Sequence, residues 1–245
     1  MIRLEGTEEH PRYNNSDHIV ENFNKYLTNS FYRYVIMLSI QDPYKFRDPN
    51  NIVENAISEA FLMIDTTPDE GDLASLREVL LTFVSSKRYM DDFRGPLFEQ
   101  IIRYSGPENP INNYNPKCNS LEEAQIFCER TSYNNGDCDK NVDLVFFEEG
   151  LRINPNCFEV ERFIACEVKC NINSFITGIV NALRKGKELM VISNYTKLLY
   201  LKEIFLHFQG LSTVLICTLN GINAFSKMFL KDHDLECLGI WEPTN

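Results

Sequence analysis

Hydrophobic positions along this chain recur at two different spacings, and the change from one to the other divides it. In the first hundred residues the spacing is three and four. Ile52-Val53, Ala56-Ile57 and Ala60-Phe61 predict a helix over 51–64, and a second is predicted over 73–89. Ser16, Asp17 and His18 offer a cap for an earlier helix through Leu27. The stretch 31–40 is apolar, aromatic and β-branched, which fits either a strand or a buried helix. Residues 1–15 read as a loose polar entry. Residues 94–106 form a short bounded helix, with Pro96 in the first turn, Gly106 at the exit, and Leu97, Ile101 and Tyr104 on the buried face.

After a loop of prolines and asparagines over 107–119, Ser120 and Glu123 match a capping box, which predicts a helix through Glu129. Then a spacing of two sets in. Residues 142–147 predict a strand with Asp143 near its start. Residues 163–169 predict another, with Phe163, Ala165, Glu167 and Lys169 on one face and Ile164, Cys166 and Val168 on the other. Ile172, Phe175, Ile176, Ile179, Val180 and Leu183 give an amphipathic helix. A helix ending near Phe208, a strand over 213–219, a helix over 224–230 and a strand over 235–241 complete the chain. The pattern predicts an α/β (α+β) protein: a mainly helical lobe over 1–93 and a mixed sheet flanked by helices over 94–245.

Composition narrows the function. With 245 residues, 44% of them hydrophobic, the chain can bury a large core. No apolar run reaches the roughly 18–20 residues of a membrane helix, and the charged start, Met1 to Gly6, lacks the apolar centre of a signal peptide. A cytoplasmic protein with no membrane attachment is expected. Its eight cysteines form no C-x-x-C pair, so reduced thiols are expected. A net charge of −11 argues against a general nucleic-acid coat. The charge is uneven, however: acids outnumber bases over 1–90, while bases outnumber acids over 177–235. Arg184, Lys185 and Lys187 suit a DNA backbone or, equally, the C-terminal dipole of a helix. No G-x-x-x-x-G-K-[ST] loop is present, so ATP use is not indicated.

The candidate chemistry lies on the two strands. Asp143, Glu167 and Lys169 match D-(x)n-E-x-K, and the single intervening Val168 keeps acid and lysine on one face. In this arrangement the chain resembles the PD-(D/E)XK nuclease superfamily over roughly residues 94–220, including the order of helices and strands. The resemblance implies a restriction-endonuclease-like fold and a metal-dependent phosphodiesterase. It implies Asp143 and Glu167 as ligands of Mg²⁺ or Mn²⁺, hard cations suited to carboxylates and retained waters. It also implies Lys169 beside the attacking water, orienting or deprotonating it and holding transition-state charge, and Glu99 as a further acid from the preceding helix. Val142 stands where the family's name has proline, and the helix after Lys169 lacks the glutamine-tyrosine signature of the RecB-like subgroup.

Each residue also has a plainer reading. Asp143 can bond the turn before its strand, Glu99 can be a solvated helix position, and a same-face Glu-Lys pair is commonly a surface ion pair worth little. The expected function is a DNA endonuclease of bacterial defence, acting as a homo-oligomer or with a protein partner such as a helicase docked on the acidic lobe. The nuclease subunit of anti-phage systems such as Hachiman is a family for comparison. The alternative is a non-catalytic interaction protein on a nuclease-like fold, with Asp143 and Glu167 farther apart than the roughly 4–6 Å at which charges couple tightly.

Overall fold

A computed structural model describes residues 2–7, 19–41, 48–106, 119–128, 131–132 and 141–241. The cap expected at Ser16 to His18 and the loop over 107–118 lie outside them. The chain divides into two units, His10–Asn115 and a second made of Met1–Glu9 with Pro116–Asn245.

The first unit is helical. After a 3-10 turn at Glu21–Phe23 it contains α1 (Asn24–Leu27), α2 (Ser30–Gln41), α3 (Pro49–Met63), α4 (Glu70–Ser85), α5 (Lys87–Asp92) and α6 (Arg94–Ser105). Side-chain caps start several of them: Asp48 accepts from the Asn50 N–H, Asp69 from the Asp72 N–H, and Ser86 from the Tyr89 N–H. The ambiguous stretch 31–40 is a helix. Asn29 Oδ1 accepts from the Phe31 N–H at 2.8 Å and opens it, and every residue from Phe31 to Met37 is buried. A helix covered on all sides loses its polar face and so resembles a strand in sequence. The predicted helix over 73–89 is two, broken at Ser86. The expected break at 93/94 is displaced, because α6 packs on α1, α2 and α5 and belongs to this unit. Gly106, at φ 78°, ends α6 in a conformation that favours glycine.

The second unit is built on one mixed sheet. Its strands among the described residues are β1 (Ile2–Thr7), β2 (Asn119–Cys128), β3 (Thr131–Ser132), β4 (Val142–Phe147), β5 (Gly150–Asn154), β6 (Cys157–Val160), β7 (Phe163–Lys169), β8 (Ser212–Thr218) and β9 (Gly239–Trp241). They run in the order β5-β6-β1-β2-β4-β7-β8-β9, with β3 paired to β2. The centre is antiparallel as far as β4–β7, and β7, β8 and β9 are parallel. Parallel pairing requires crossovers, supplied by α7 (Ile172–Arg184) with α8 (Ser193–His207), and then by α9 (Ala224–Asp232). Ile172, Ile176 and Ile179 of α7 and Leu198, Leu201 and Ile204 of α8 join Ala165, Val214 and Ile216 in one core. Leu189–Val191 form a 3-10 turn before α8, and the last strand is shorter than expected.

Two sequence expectations fail here. The polar entry contains β1, which pairs with both β2 and β6. The helix expected from Ser120 is instead β2. Glu123 adopts φ 47° within it, opposite a register shift between Glu5 and Thr7. That irregularity separates buried Leu121 and Ala124 by three, a spacing that imitates a helix. The bulge is closely packed: a Cβ on Gly6 would lie 2.8 Å from the backbone oxygen of Glu122 and 3.1 Å from Ala124 Cα. Gly6→Ala is therefore expected to destabilise the protein by about 1–3 kcal/mol, since backbone cannot give way as a side-chain tip can. Urea denaturation checks this, and an unchanged midpoint would refute it.

Candidate functional site

Asp143 enters from β4 and Glu167 and Lys169 from its neighbour β7. The register pairs Leu144 with Cys166 and Val145 with Ala165, which places Asp143 beside the C-terminal end of β7. There the Val168 N–H donates to Asp143 Oδ2 at 2.8 Å, fixing the carboxylate against the backbone of the E-x-K segment. Lys169 Nζ donates to the same oxygen at 3.2 Å, lies 2.6 Å from Glu167 Oε1, and donates to Val168 O at 3.1 Å. Both carboxylates thus converge on one ammonium. The Phe175 ring lies 5.6 Å from Lys169 Nζ, at cation–π distance. Chain reversal is immediate: Asn171 caps α7 by accepting from the Ser174 N–H.

A fourth residue, Lys197 of α8, completes the group. Its Nζ lies 3.0 Å from Glu167 Oε2 and 3.9 Å from Asp143 Oδ1, and it donates to the Asn141 carbonyl. Sequence reasoning passed over it. Yet Lys197 precedes Leu201 and Ile204 by four and seven residues, on the stripe that faces the core, and a lysine in an apolar register was the available signal. Buried Tyr200 follows one turn later. Burial and the Glu167 charge together push its phenol above the ordinary range.

Compared with known proteins, the chain matches no family model, no curated protein and no solved structure.

Glu99 is half-buried on α6, in the helical unit rather than the unit that holds Asp143, Glu167 and Lys169. Among the histidines, His10 and His18 lie outside the described residues. His233 Nδ1 is 2.8 Å from the Phe229 carbonyl, and its ring stacks on Phe229. Cys157, Cys166, Cys170, Cys217 and Cys237 are free thiols, Cys166 and Cys217 being buried on the sheet face opposite the carboxylates. Among the described residues no helix is long and apolar enough to cross a membrane.

Among the described residues no three or more His, Cys, Asp or Glu side chains gather to hold a metal ion. The site offers a carboxylate pair. Glu167 is 2% exposed, and its Oε2 faces the Lys197 ammonium at 3.0 Å. Two hard oxygen donors, one on a buried carboxylate, suit a cation such as Mg²⁺ or Mn²⁺ that keeps several waters. They do not suit structural zinc, which takes four nitrogen or sulfur ligands as a rule.

Protonation separates the two acids. Burial works against the Asp143 anion, but Lys169, Lys197 and the Val168 N–H outweigh it and hold its pKa below the ordinary value. Glu167 is pushed up from 4.5 to about 7, first by burial and then by the Asp143 charge. Lys169, despite burial, is raised by Glu167 and Asp143, so it stays a cation. The sign of the stability effect follows. Between pH 4.5 and about 7 the native state keeps a proton on Glu167 that the unfolded chain has released. Stability therefore falls as pH rises through that window, by about 3 kcal/mol on this group's account. Urea denaturation at pH 5 and pH 8 should show the fall in the wild type and a smaller one in Glu167→Gln. Equal slopes would refute the assignment.

Proposed function

We propose that the sheet unit is a metal-dependent phosphodiesterase that cuts DNA, on a restriction-endonuclease-like arrangement of strands. The observation that carries this reading is the convergence of Asp143, Glu167 and Lys169: two carboxylates and a lysine from adjacent strands meet within 3.2 Å of one nitrogen. Phosphodiester hydrolysis needs neutralisation of the phosphate, an activated water and help for the leaving oxygen. Mg²⁺ or Mn²⁺ held by Asp143 and Glu167 would polarise the phosphate and acidify a bound water. Asp143, fixed by the Val168 N–H, provides the rigid carboxylate. Glu167, protonated below about pH 7 without metal, would have to give up that proton to hold the ion. Lys169, held as a cation, supplies positive charge and donors to the phosphate oxygens rather than accepting a proton. The base-rich stretch 177–235 follows β7 directly and gives a polyanion a tolerable approach. The acid excess over 1–90 suits a protein partner, as in a defence nuclease that works beside a helicase.

One observation favours a second reading, a non-catalytic interaction protein. Two lysines already neutralise the two carboxylates, and such a closed network can serve structure alone. Cleavage of plasmid and linear DNA with Mg²⁺ or Mn²⁺ separates the two readings, with wild type beside Glu167→Ala and Lys169→Ala. Metal-dependent cutting that both substitutions remove supports the nuclease. Cutting that persists in both removes these residues from the chemistry. No cutting together with no metal binding by calorimetry supports the structural reading.

A further inference from the structure

The four carboxylate oxygens are not equivalent. Asp143 Oδ2 accepts from the Val168 N–H and Lys169, and Glu167 Oε1 pairs with Lys169. The other two, Asp143 Oδ1 and Glu167 Oε2, face Lys197. Lys169 is tightly held, with three oxygens between 2.6 and 3.2 Å. Lys197 is held less well by the acids. Its distance to Asp143 Oδ1 is 3.9 Å, too long for a hydrogen bond, and to Glu167 Oε2 3.0 Å, while its hydrogen bond goes to the Asn141 carbonyl. Its ammonium sits on a flexible four-carbon stem.

We infer that Lys197 is a built-in counter-cation, occupying the place on Asp143 Oδ1 and Glu167 Oε2 that a divalent metal ion takes, and that it must leave for the metal to bind. The inference rests on the metal-dependent reading of the site. Two carboxylates and two ammonium groups are neutral together. A dication added with both lysines in place would leave two uncompensated positive charges beside a nearly inaccessible glutamate, an arrangement that low local dielectric penalises heavily. One ammonium has to go. Lys169 is bound to oxygens that a newcomer need not use, whereas Lys197 covers the two that remain. Without metal, Lys197 keeps the buried Glu167 from standing as a bare charge, so the same residue stabilises the empty site and competes with its ligand.

Titration calorimetry of the full chain with Mn²⁺, comparing wild type with Lys197→Met, Lys197→Gln and Lys197→Arg, tests this. The two neutral variants are expected to bind Mn²⁺ at least about tenfold more tightly than the wild type, and the charge-keeping arginine to remain near it. In thermal melts the neutral variants should start below the wild type without metal and gain more from Mn²⁺, because tighter binding stabilises the native state more. Far-UV circular dichroism identifies folded variants, and two neutral substitutions guard against failure of one. Equal or weaker Mn²⁺ binding by folded neutral variants overturns the counter-cation role and leaves the metal site standing. No Mn²⁺ binding by wild type or either neutral variant overturns the metal reading itself, and this inference with it.

Discussion

Replacing Glu167 with alanine is expected to lower the proposed metal-dependent DNA cleavage by roughly a thousandfold or more, an effect of the size seen when transition-state charge loses its stabilising partner. The reason is cumulative. The substitution removes one of two carboxylates, so a divalent ion keeps a single protein ligand from this pair. It also takes away the closer carboxylate partner of Lys169, at 2.6 Å, and of Lys197, at 3.0 Å, leaving Asp143 as the one carboxylate of the pair for both ammonium groups. The site then carries net positive charge and repels the metal. Single-turnover cleavage of labelled DNA measures the effect. A loss of less than tenfold would show that Glu167 is a neighbour of the chemistry rather than a part of it.

Asp143→Ala should produce the largest loss of stability among the site residues, about 3–5 kcal/mol, because it breaks a buried ion-pair group from one side. Asp143 does three things at once. It accepts the Val168 N–H, pairs with Lys169, and lies within reach of Lys197. Its loss leaves a strand-end N–H without its acceptor and two lysines sharing a glutamate whose own ionisation burial opposes. Asp143→Asn keeps the shape and an acceptor, and is expected to cost clearly less. The pH dependence has a fixed sign. A carboxyl held below its ordinary value of 3.8 contributes stability above that pH and loses it as acid protonates the native state. Chemical denaturation at pH 7 and pH 3 should therefore show the gap between wild type and Asp143→Ala closing in acid. A gap that stays constant would mean that the ion pairs contribute little and that packing accounts for the loss.

Much of this was legible from local spacing. α3, α6 and α7 were predicted because each buries one stripe at three and four, and β4, β7 and β8 because each alternates. What was missed has specific causes. β1 offers only Ile2 and Leu4 as buried positions in a polar stretch, and its partners β2 and β6 lie far along the chain. β2 lost its alternation at Glu123, where a bulge changes the phase. α2 lost its amphipathic pattern because it is covered on all sides.

The candidate site shows the same division. Glu167 and Lys169 share a face because a strand repeats every two residues, which chain geometry fixes wherever the strand ends up. The sequence by itself determined that pair, the acid on β4, and the amphipathic helix that follows β7. Only the tertiary structure decided that Asp143 is fastened to the Val168 N–H, that Glu99 belongs to the helical unit, and that Lys197 comes back from α8 to close the charge. These depend on strand register and on where a crossover helix lands, which follow from the packing of distant apolar faces. A spacing rule describes neighbours along one element, and it cannot name the ammonium that a buried carboxylate meets across two.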